Sequence, residues 1–405
     1  MRDVNTIVAN GLCSGCGLCA GVGERNAIAM RDSAEGFRRP VKIDTVPDRH
    51  ADLLDADCPG ATLAHRADFD APYDPVWGPV IEARLGWSTD AALRRHASSG
   101  GALSALLLHL IATSKIDYVL QTAVSPASPL RNALVESTGR EDVYRAAGSR
   151  YAPSSPLEDI DARLEKPESF AFVGKPCDVA ALRQLARHDP RVDEKVPYMI
   201  AFMCAGVPSY RGTSAVLDAM GVADESQVTA FRYRGDGWPG EATATLADGS
   251  ERRIDYDTSW GGILNRHLQF RCKICPDGTG EFADVTCADG WYLDADGAPD
   301  FEEREGRSIV LSRTAKGERL VAAAIAAKAL DAQPTTLQEV ARMQPYQARR
   351  KGLAWWRLQA MALSGRRRPG FHNLALRENA RRLGLKAGLR ALIGSCRRLV
   401  AGKEA

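Results

Sequence analysis

Three cysteines lie three residues apart near the start of the chain, at Cys13, Cys16 and Cys19, and a fourth, Cys58, directly precedes Pro59. This order of thiols is the ligand pattern of a four-iron iron–sulfur cluster, in which a later Cys-Pro supplies the fourth ligand. The glycines between the first three cysteines allow the loop to curl and to point backbone N–H groups at the sulfides. We therefore expect a [4Fe-4S] cluster and one-electron transfer.

Two other roles for these cysteines fit the spacing less well. A zinc knuckle normally uses two separated Cys-x-x-Cys pairs rather than a triple, and a disulfide set needs an oxidising compartment. The first ten residues contain no apolar core of signal-peptide length, and no later run approaches the roughly 20 apolar residues of a membrane span. We expect a cytoplasmic protein without a transmembrane segment, whose cysteines stay reduced.

A second Cys-x-x-Cys, formed by Cys272 and Cys275, raises the question of a second cluster. Two of three further thiols could complete four ligands; these are Cys177, Cys204 and Cys287. Cys177 lies between a predicted strand and a predicted helix, where a helix N-terminus stabilises a thiolate. Cys204 ends an apolar strand, at the edge where α/β folds place their sites. Cys396 is expected not to be a ligand.

The segment Ser98-Ser99-Gly100-Gly101 precedes an apolar helix predicted from Ala102. Its hydroxyls are suited to capping the helix, and its glycines admit a phosphate to free N–H groups. Positive charge for a phosphate is available from Arg150, in Gly148-Ser149-Arg150-Tyr151, and from Lys175. An ordinary capped helix remains the alternative, because the three-glycine Rossmann spacing is absent.

Alternating strand and helix patterns predict an α/β body, with an antiparallel hairpin over 228–254. Four segments follow from composition and periodicity. They are an iron–sulfur module (1–70), two segments of the α/β body (79–160 and 165–330), which the resemblance given below implies to be flavoprotein domains, and a basic helical tail (331–405).

The charge is uneven although the net charge is only +2, so no nucleic-acid footprint covers the chain. Arginines are concentrated in the tail, where 365–370 is typical of a linker and 373–400 of an amphipathic helix. Such a helix either packs on the body as a solvated element or docks to an acidic protein, or less readily to a membrane surface.

Several short motifs occur in a defined order after the first cysteines: Ala97–Ala102, Gly148–Pro153, Gly174–Cys177, Phe202–Cys204, Cys272–Cys275 and Glu281–Asp284. In this order they resemble the family of coenzyme F420 hydrogenase/dehydrogenase beta subunits, which includes ferredoxin-dependent chlorophyll reductases. The resemblance covers most of residues 10 to about 325. It implies an α/β (α+β) fold with a ferredoxin-like iron–sulfur module on an α/β flavoprotein body, which binds FAD and one or two [4Fe-4S] clusters.

The resemblance also implies residue roles. Cys13, Cys16, Cys19 and Cys58 would hold one cluster, and Cys177, Cys204, Cys272 and Cys275 the other. Cys287 departs from the family pattern, and we expect it to be inert because the other four are present. FAD would be bound by Ser98, Ser99, Gly100, Gly101, Ser149, Arg150, Tyr151 and Lys175.

Flavin and clusters together predict an oxidoreductase, because flavin converts one-electron transfer into hydride chemistry. The main interpretation is a reductase that takes electrons from ferredoxin, or another redox protein, and reduces an unknown small-molecule substrate. The alternative is an electron-transfer subunit of a larger complex that uses coenzyme F420 or a nicotinamide and has no organic substrate of its own. Arg232 and Arg234 line a substrate face or a hairpin surface; no catalytic residue is assigned.

Overall fold

The protein is described by a computed structural model over residues 3–23, 27–65 and 71–400. The strands are β1 Ile28–Asp32, β2 Arg38–Lys42, β3 Thr62–Ala64, β4 Tyr73–Asp74, β5 Gly78–Pro79, β6 Glu82–Ser88, β7 Tyr118–Ser125, β8 Ser128–Ser137, β9 Phe170–Gly174, β10 Tyr198–Phe202, β11 Val228–Arg232, β12 Ala242–Leu246, β13 Glu251–Ile254, β14 Val285–Asp289, β15 Tyr292–Leu293, β16 Pro299–Asp300, β17 Ser308–Ser312, β18 Leu330–Pro334 and β19 Gly370–His372.

The helices are α1 Val4–Ala9, α2 Leu18–Gly21, α3 Asp48–Asp57, α4 Ala91–His96, α5 Ala102–Ala112, α6 Arg140–Ala146, α7 Ile160–Leu164, α8 Pro176–Leu185, α9 Pro190–Lys195, α10 Tyr210–Ala219, α11 Phe270–Lys273, α12 Ala315–Ala326, α13 Leu337–Met343, α14 Pro345–Leu363, α15 Leu376–Leu383 and α16 Leu385–Val400. None of the helices in the described ranges is long and apolar enough to cross a membrane.

A mixed eight-stranded sheet organises the body, in the order β18-β6-β17-β14-β10-β9-β7-β8. β9 is parallel to β7 and β10, and β10 is parallel to β14, whereas the remaining pairs are antiparallel. Because side chains alternate across a strand, Phe170 and Phe172 enter one core, whereas Ala171 and Val173 enter another. The predicted α/β body is confirmed, with helices covering both faces.

This one sheet contains strands from both predicted flavoprotein segments. β6, β7 and β8 come from 79–160, and β9, β10, β14 and β17 come from 165–330. β18 begins at Leu330 and pairs with β6, so the predicted boundary at 330 falls inside a strand of the sheet.

The N-terminal module contains an antiparallel hairpin of β1 and β2, and α1 packs on it. Strand β3 pairs with β19, which begins at Gly370, so the predicted linker at 365–370 runs directly into a strand that ties the module to the C-terminal region. The predicted boundary at residue 70 lies outside the described residues.

The predicted hairpin over 228–254 is confirmed as the antiparallel sheet β11-β12-β13. The predicted single helix over 373–400 is wrong, because it is divided into α15 and α16. Gly384 separates the two helices with φ +87°, a positive value that glycine adopts at little cost and that ends α15. Both helices pack against α14.

Candidate functional site

The first set of four cysteines, the first quartet, is brought together from two parts of the N-terminal module. Cys13 and Cys16 are buried in the loop that leads into α2, Cys19 is buried within α2, and Cys58 directly follows α3. The loop depends on its glycines, since Gly15 has φ +79° and Gly17 has φ +89°. A side chain at Gly17 would also place its Cβ 2.7 Å from the backbone nitrogen of Glu158.

Burial of these thiols is electrostatically costly without a cationic partner. Burial raises the pKa of Cys16 and Cys19, and it raises that of Cys58 to about 11; the charges of neighbouring cysteines raise all three further. Thiolates packed together in an apolar site are stabilised only when a metal or cluster neutralises them. The arrangement therefore fits an iron–sulfur cluster.

In residues 3–23, 27–65 and 71–400, no three His, Cys, Asp or Glu side chains are grouped tightly enough to hold a single metal ion. In a cubic cluster each thiolate binds its own iron, so the sulfur atoms lie farther apart than around one ion. The geometry gives no support to the zinc alternative.

The second quartet is assembled around the carboxyl end of β10. Cys177 lies in the first turn of α8, Cys204 follows β10, Cys272 lies in α11 and Cys275 follows α11. Burial raises the pKa of Cys177, Cys204 and Cys275, that of Cys204 to about 12, and other members of the quartet add to the rise in each case. The four thiols that the resemblance implied are thus close enough to interact.

Backbone and side-chain N–H groups surround this second quartet. The N–H of Val207 donates to the sulfur of Cys272 at 3.4 Å, and the amide of Gln269 lies 3.5 Å from the same sulfur. Arg350 of α14 donates to the carbonyl oxygens of Cys204 and Cys272, at 2.7 and 3.0 Å. Such donors stabilise a negatively charged cluster and hold its ligands in place.

Arg271 links the two quartets. Its side chain is buried and donates to the carbonyl oxygen of Pro59 at 3.0 Å, while its Nε has no partner among the residues that the structure describes. Burial raises the pKa of both Cys58 and Cys275, and the Arg271 guanidinium opposes the rise at both. One buried cation therefore acts on both cysteine sets, which places the two candidate clusters next to each other.

The remaining two cysteines are separate from these sets. Cys287 lies on β14, and burial alone raises its pKa to about 12. Cys396 lies on α16, with its sulfur 3.8 Å from the carbonyl oxygen of Ala360. That neither cysteine is a cluster ligand stays a prediction.

Most of the predicted flavin residues line one cavity of about 240 Å³. They are Ser98, Ser99, Gly101, Ser149, Arg150, Tyr151 and Lys175. Gly100 does not line it: its N–H donates to the hydroxyl of Ser308 at 3.0 Å, and an added Cβ would lie 2.7 Å from the Cα of Arg307. A larger residue at position 100 would therefore collide with the backbone of Arg307.

The predicted hydroxyl cap of α5 is wrong. Gly101, with φ +70°, occupies the N-cap position, and no side chain accepts a hydrogen bond from the first turn. The hydroxyl of Ser98 instead accepts from the N–H of Ser149, and that of Ser99 donates to the carbonyl oxygen of Arg307 at 3.1 Å. Since first-turn residues Ala102–Ser104 line the cavity, the helix N-terminus remains open to an anion there.

Two of the cations that border this cavity, Lys175 and Arg150, differ in their partners. Lys175 lies 2.6 Å from the carboxylate of Asp178 and donates to the hydroxyl of Ser154 at 3.1 Å. Arg150 donates only to neutral oxygens in the described chain, among them Asn132 at 2.9 Å and Phe231 at 3.1 Å, and burial lowers its pKa. Arg150 is therefore the cation whose charge no carboxylate neutralises.

Exposed aromatic rings inside the cavity were not predicted. Phe202, at the end of β10, is 40% exposed and Tyr346 of α14 is 38% exposed, and both line the cavity. Phe202 could have been found from the sequence, because it lies two residues before the predicted ligand Cys204. Tyr346 could not be found that way, because it belongs to the segment predicted as a tail.

A second cavity of about 890 Å³ adjoins the first and shares Gly148, Ser149 and Arg150 with it. Arg232 and Arg234 line this cavity, but each is paired: Arg232 lies 3.1 Å from Asp236. Arg234 donates to both carboxylate oxygens of Asp289, at 2.9 and 2.8 Å. Arg232 and Arg234 therefore add paired charges to the wall of the second cavity, in which Arg150 is the cation without a carboxylate partner among these three.

Comparison with known proteins identifies the family. Family models described as "Coenzyme F420 hydrogenase/dehydrogenase, beta subunit" match residues 83–160 with the N-terminal part and 168–338 with the C-terminal part. The chain belongs to the family of coenzyme F420 hydrogenase/dehydrogenase beta subunits. Residues beyond 338, which include α14, α15 and α16, lie outside the matched ranges.

Three relatives of this family member are named for F420-linked redox reactions. The chain is 24% identical to the coenzyme F420-dependent sulfite reductase of Methanocaldococcus jannaschii, over 78% of this chain but only 46% of that protein. It is 26% identical to the coenzyme F420 hydrogenase beta subunit of Methanococcus voltae, over 60% of this chain and 79% of that protein. It is 23% identical to an F(420)H(2) dehydrogenase subunit of Methanosarcina mazei, over 77% and 82%.

The fold is also similar to a solved structure. A chain from the F420-reducing [NiFe] hydrogenase complex of Methanosarcina barkeri superposes with a TM-score of 0.53 at 20% identity, covering 69% of this chain and 92% of that one. The relatives are oxidoreductases or their subunits, which favours the alternative of an electron-transfer subunit over a self-contained reductase. None of these names mentions FAD or ferredoxin.

Proposed function

We propose that this chain is an electron-transfer subunit of an oxidoreductase, which exchanges electrons between a deazaflavin coenzyme of the F420 type and a redox-protein partner. FAD and two [4Fe-4S] clusters would form the path between them. The observation that carries the proposal is the position of Cys204, a member of the second quartet, in the wall of the same cavity as the predicted flavin residues.

The first cavity suits the parts of FAD. The open N-terminus of α5 and the unneutralised Arg150 would hold the pyrophosphate, and Phe202 and Tyr346 offer apolar ring faces to the flavin. The volume of about 240 Å³ alone is below the about 300–1,000 Å³ typical of ligand sites. The adjoining cavity of about 890 Å³ lies within that range and extends the space beside Arg150. Bound FAD would supply conversion between hydride transfer and one-electron steps.

The adjoining cavity is the place for the deazaflavin. It opens beside Arg150, which lines both spaces, and Phe301 presents a 42%-exposed ring in its wall. The support for F420 comes from the names of the relatives, because the mixed charges of this wall select no particular coenzyme. On the other side of the first cavity, the second and first quartets would lead electrons away, with Arg271 between them.

The proposal predicts F420 reduction by the anaerobically purified protein loaded with clusters and FAD. With reduced methyl viologen as donor, coenzyme F420 should lose its visible absorption, and the rate should depend on added FAD. NAD⁺ should serve as the slower acceptor. Full activity in flavin-free protein, or no reduction of F420 despite reduced clusters, would contradict the proposal.

Two matched phenylalanine variants test which cavity holds which ligand. Phe202→Ala should weaken FAD binding by about tenfold, because a ring contact is worth about 0.5–1.5 kcal/mol beyond its buried area. Phe301→Ala, which removes a ring of similar exposure from the second cavity, should leave FAD affinity unchanged and raise the KM for F420. Flavin fluorescence titration and steady-state kinetics measure the two effects, and the opposite assignment of effects would show that the cavities are interchanged.

A further inference from the structure

Helix α16 exposes a strip of aliphatic side chains to solvent. Leu385 is 66% exposed, Leu389 42%, Ile393 50% and Val400 81%. At about 100° per residue, these four side chains fall within an arc of about 80°. A strip of this kind, about 22 Å long from end to end, is unusual on a solvated helix and typical of a contact surface.

Basic side chains lie along one edge of this strip. Lys386, Arg390 and Arg397 occupy the next arc of about 40°, and all three are exposed. The helix contains no acidic residue. We call the aliphatic strip and these three cations the α16 outer face; it is complementary to an acidic surface that contains an apolar patch.

The side of α16 next to the aliphatic strip packs beside the first quartet. Leu399 is buried in the hydrophobic cluster that contains Cys13, and Cys396 packs against that cluster together with Cys58. The turn after α14 holds the same region: Arg366 contacts the carbonyl oxygen of Leu399 at 3.4 Å, and the N–H of Arg367 donates to Asn10 at 3.3 Å. The C-terminal part of the outer face, around Ile393 and Arg397, therefore lies within about one helix diameter, roughly 10 Å, of this cluster.

We propose that the α16 outer face is the docking surface for a small acidic iron–sulfur protein that exchanges electrons with the first quartet's cluster. This inference rests on the proposed function and names the partner for the outer end of its electron path. In this step one electron passes from the partner's reduced cluster to the first quartet's cluster. The partner's cluster is oxidised by one electron and the first quartet's cluster is reduced by one electron. No covalent bond is formed or broken, and no proton is transferred. A membrane surface is the less favoured occupant, because lipid binding does not require the α16 outer face to lie beside the first quartet.

The test measures how fast the clusters of the loaded protein are reduced by an acidic [4Fe-4S] ferredoxin, used as the probe, in stopped-flow experiments. Leu389→Ser/Ile393→Ser and Arg390→Glu/Arg397→Glu should each slow this reaction at least about tenfold, and added salt should slow the wild-type reaction. Reduction by methyl viologen should not slow in either variant. Ile43→Ser and Arg252→Glu, which change exposed residues elsewhere, serve as matched controls and should leave both rates unchanged.

The outcomes separate the docking surface from the electron path. If ferredoxin rates are unchanged in both double variants, the docking proposal is wrong while the path stands. If methyl viologen also fails to reduce the wild-type clusters, the proposed function itself fails. If ferredoxin does not react but the protein sediments with vesicles of anionic lipid, and both double variants abolish sedimentation, the outer face binds membranes and the docking proposal is overturned.

Discussion

Cys272→Ser is expected to remove one of two four-iron clusters, so that the iron content of the anaerobically reconstituted protein falls from about eight to about four per chain. The reason is that Cys272 belongs to the second quartet, whose partly buried thiols interact with one another. Iron and sulfide analysis gives the number, and the EPR spectrum of the reduced protein shows which cluster signal remains.

Cys287→Ser is the matched control, because Cys287 is buried in the same part of the fold but no cysteine charge acts on it. It should keep about eight irons. Equal loss in both variants would mean that Cys287 is a ligand. A wild-type protein that holds only about four irons after full reconstitution would remove one quartet from the proposal.

Lys351→Met is expected to destabilise the protein by about 3–5 kcal/mol, because it leaves a buried carboxylate without its cation. The amino group of Lys351 contacts the carboxylate of Glu281, and the two side chains are 3% and 0% exposed. Burial raises the pKa of Glu281 to about 7, and Lys351 opposes that rise. Tyr73 donates a second hydrogen bond to Glu281 at 3.1 Å, but it carries no charge.

Urea unfolding of the cluster-loaded protein under anaerobic conditions measures this loss. Lys166→Met is the control, since Lys166 pairs with Glu136 at 44% and 35% side-chain exposure and should cost at most about 1 kcal/mol. The additional change Glu281→Gln should restore part of the stability lost in Lys351→Met. An equal cost for both lysine variants would show that the buried pair has no special role.

The pH dependence of the variant follows from the raised pKa of Glu281. An acid whose pKa is higher in the folded than in the unfolded state loses stability as pH rises from its ordinary value of 4.5 through its folded value of about 7. Lys351→Met removes the cation that favours the ionised form. The deficit of the variant should accordingly be small near pH 5 and largest above pH 7.

Local chemistry in the sequence predicts the first ligand set and the α/β body. The spacing of Cys13, Cys16 and Cys19 predicts a cluster loop because a glycine-containing loop of this length closes on itself without help from distant residues. The strand and helix patterns of the body were equally predictable, since burial on both faces leaves continuous apolar strands such as β9. The order of motifs then indicated the family.

Tertiary structure alone decided how the sites are joined. Gly100 and Gly101 are adjacent and alike in sequence, yet one packs against Arg307 while the other opens the N-terminus of α5 to the cavity. The segment predicted as a basic helical tail contributes Tyr346 to the cavity, Arg350 to the second quartet and Lys351 to the core. Contacts between residues about 70 or more positions apart depend on how the whole chain packs, and no periodicity of a single segment records them.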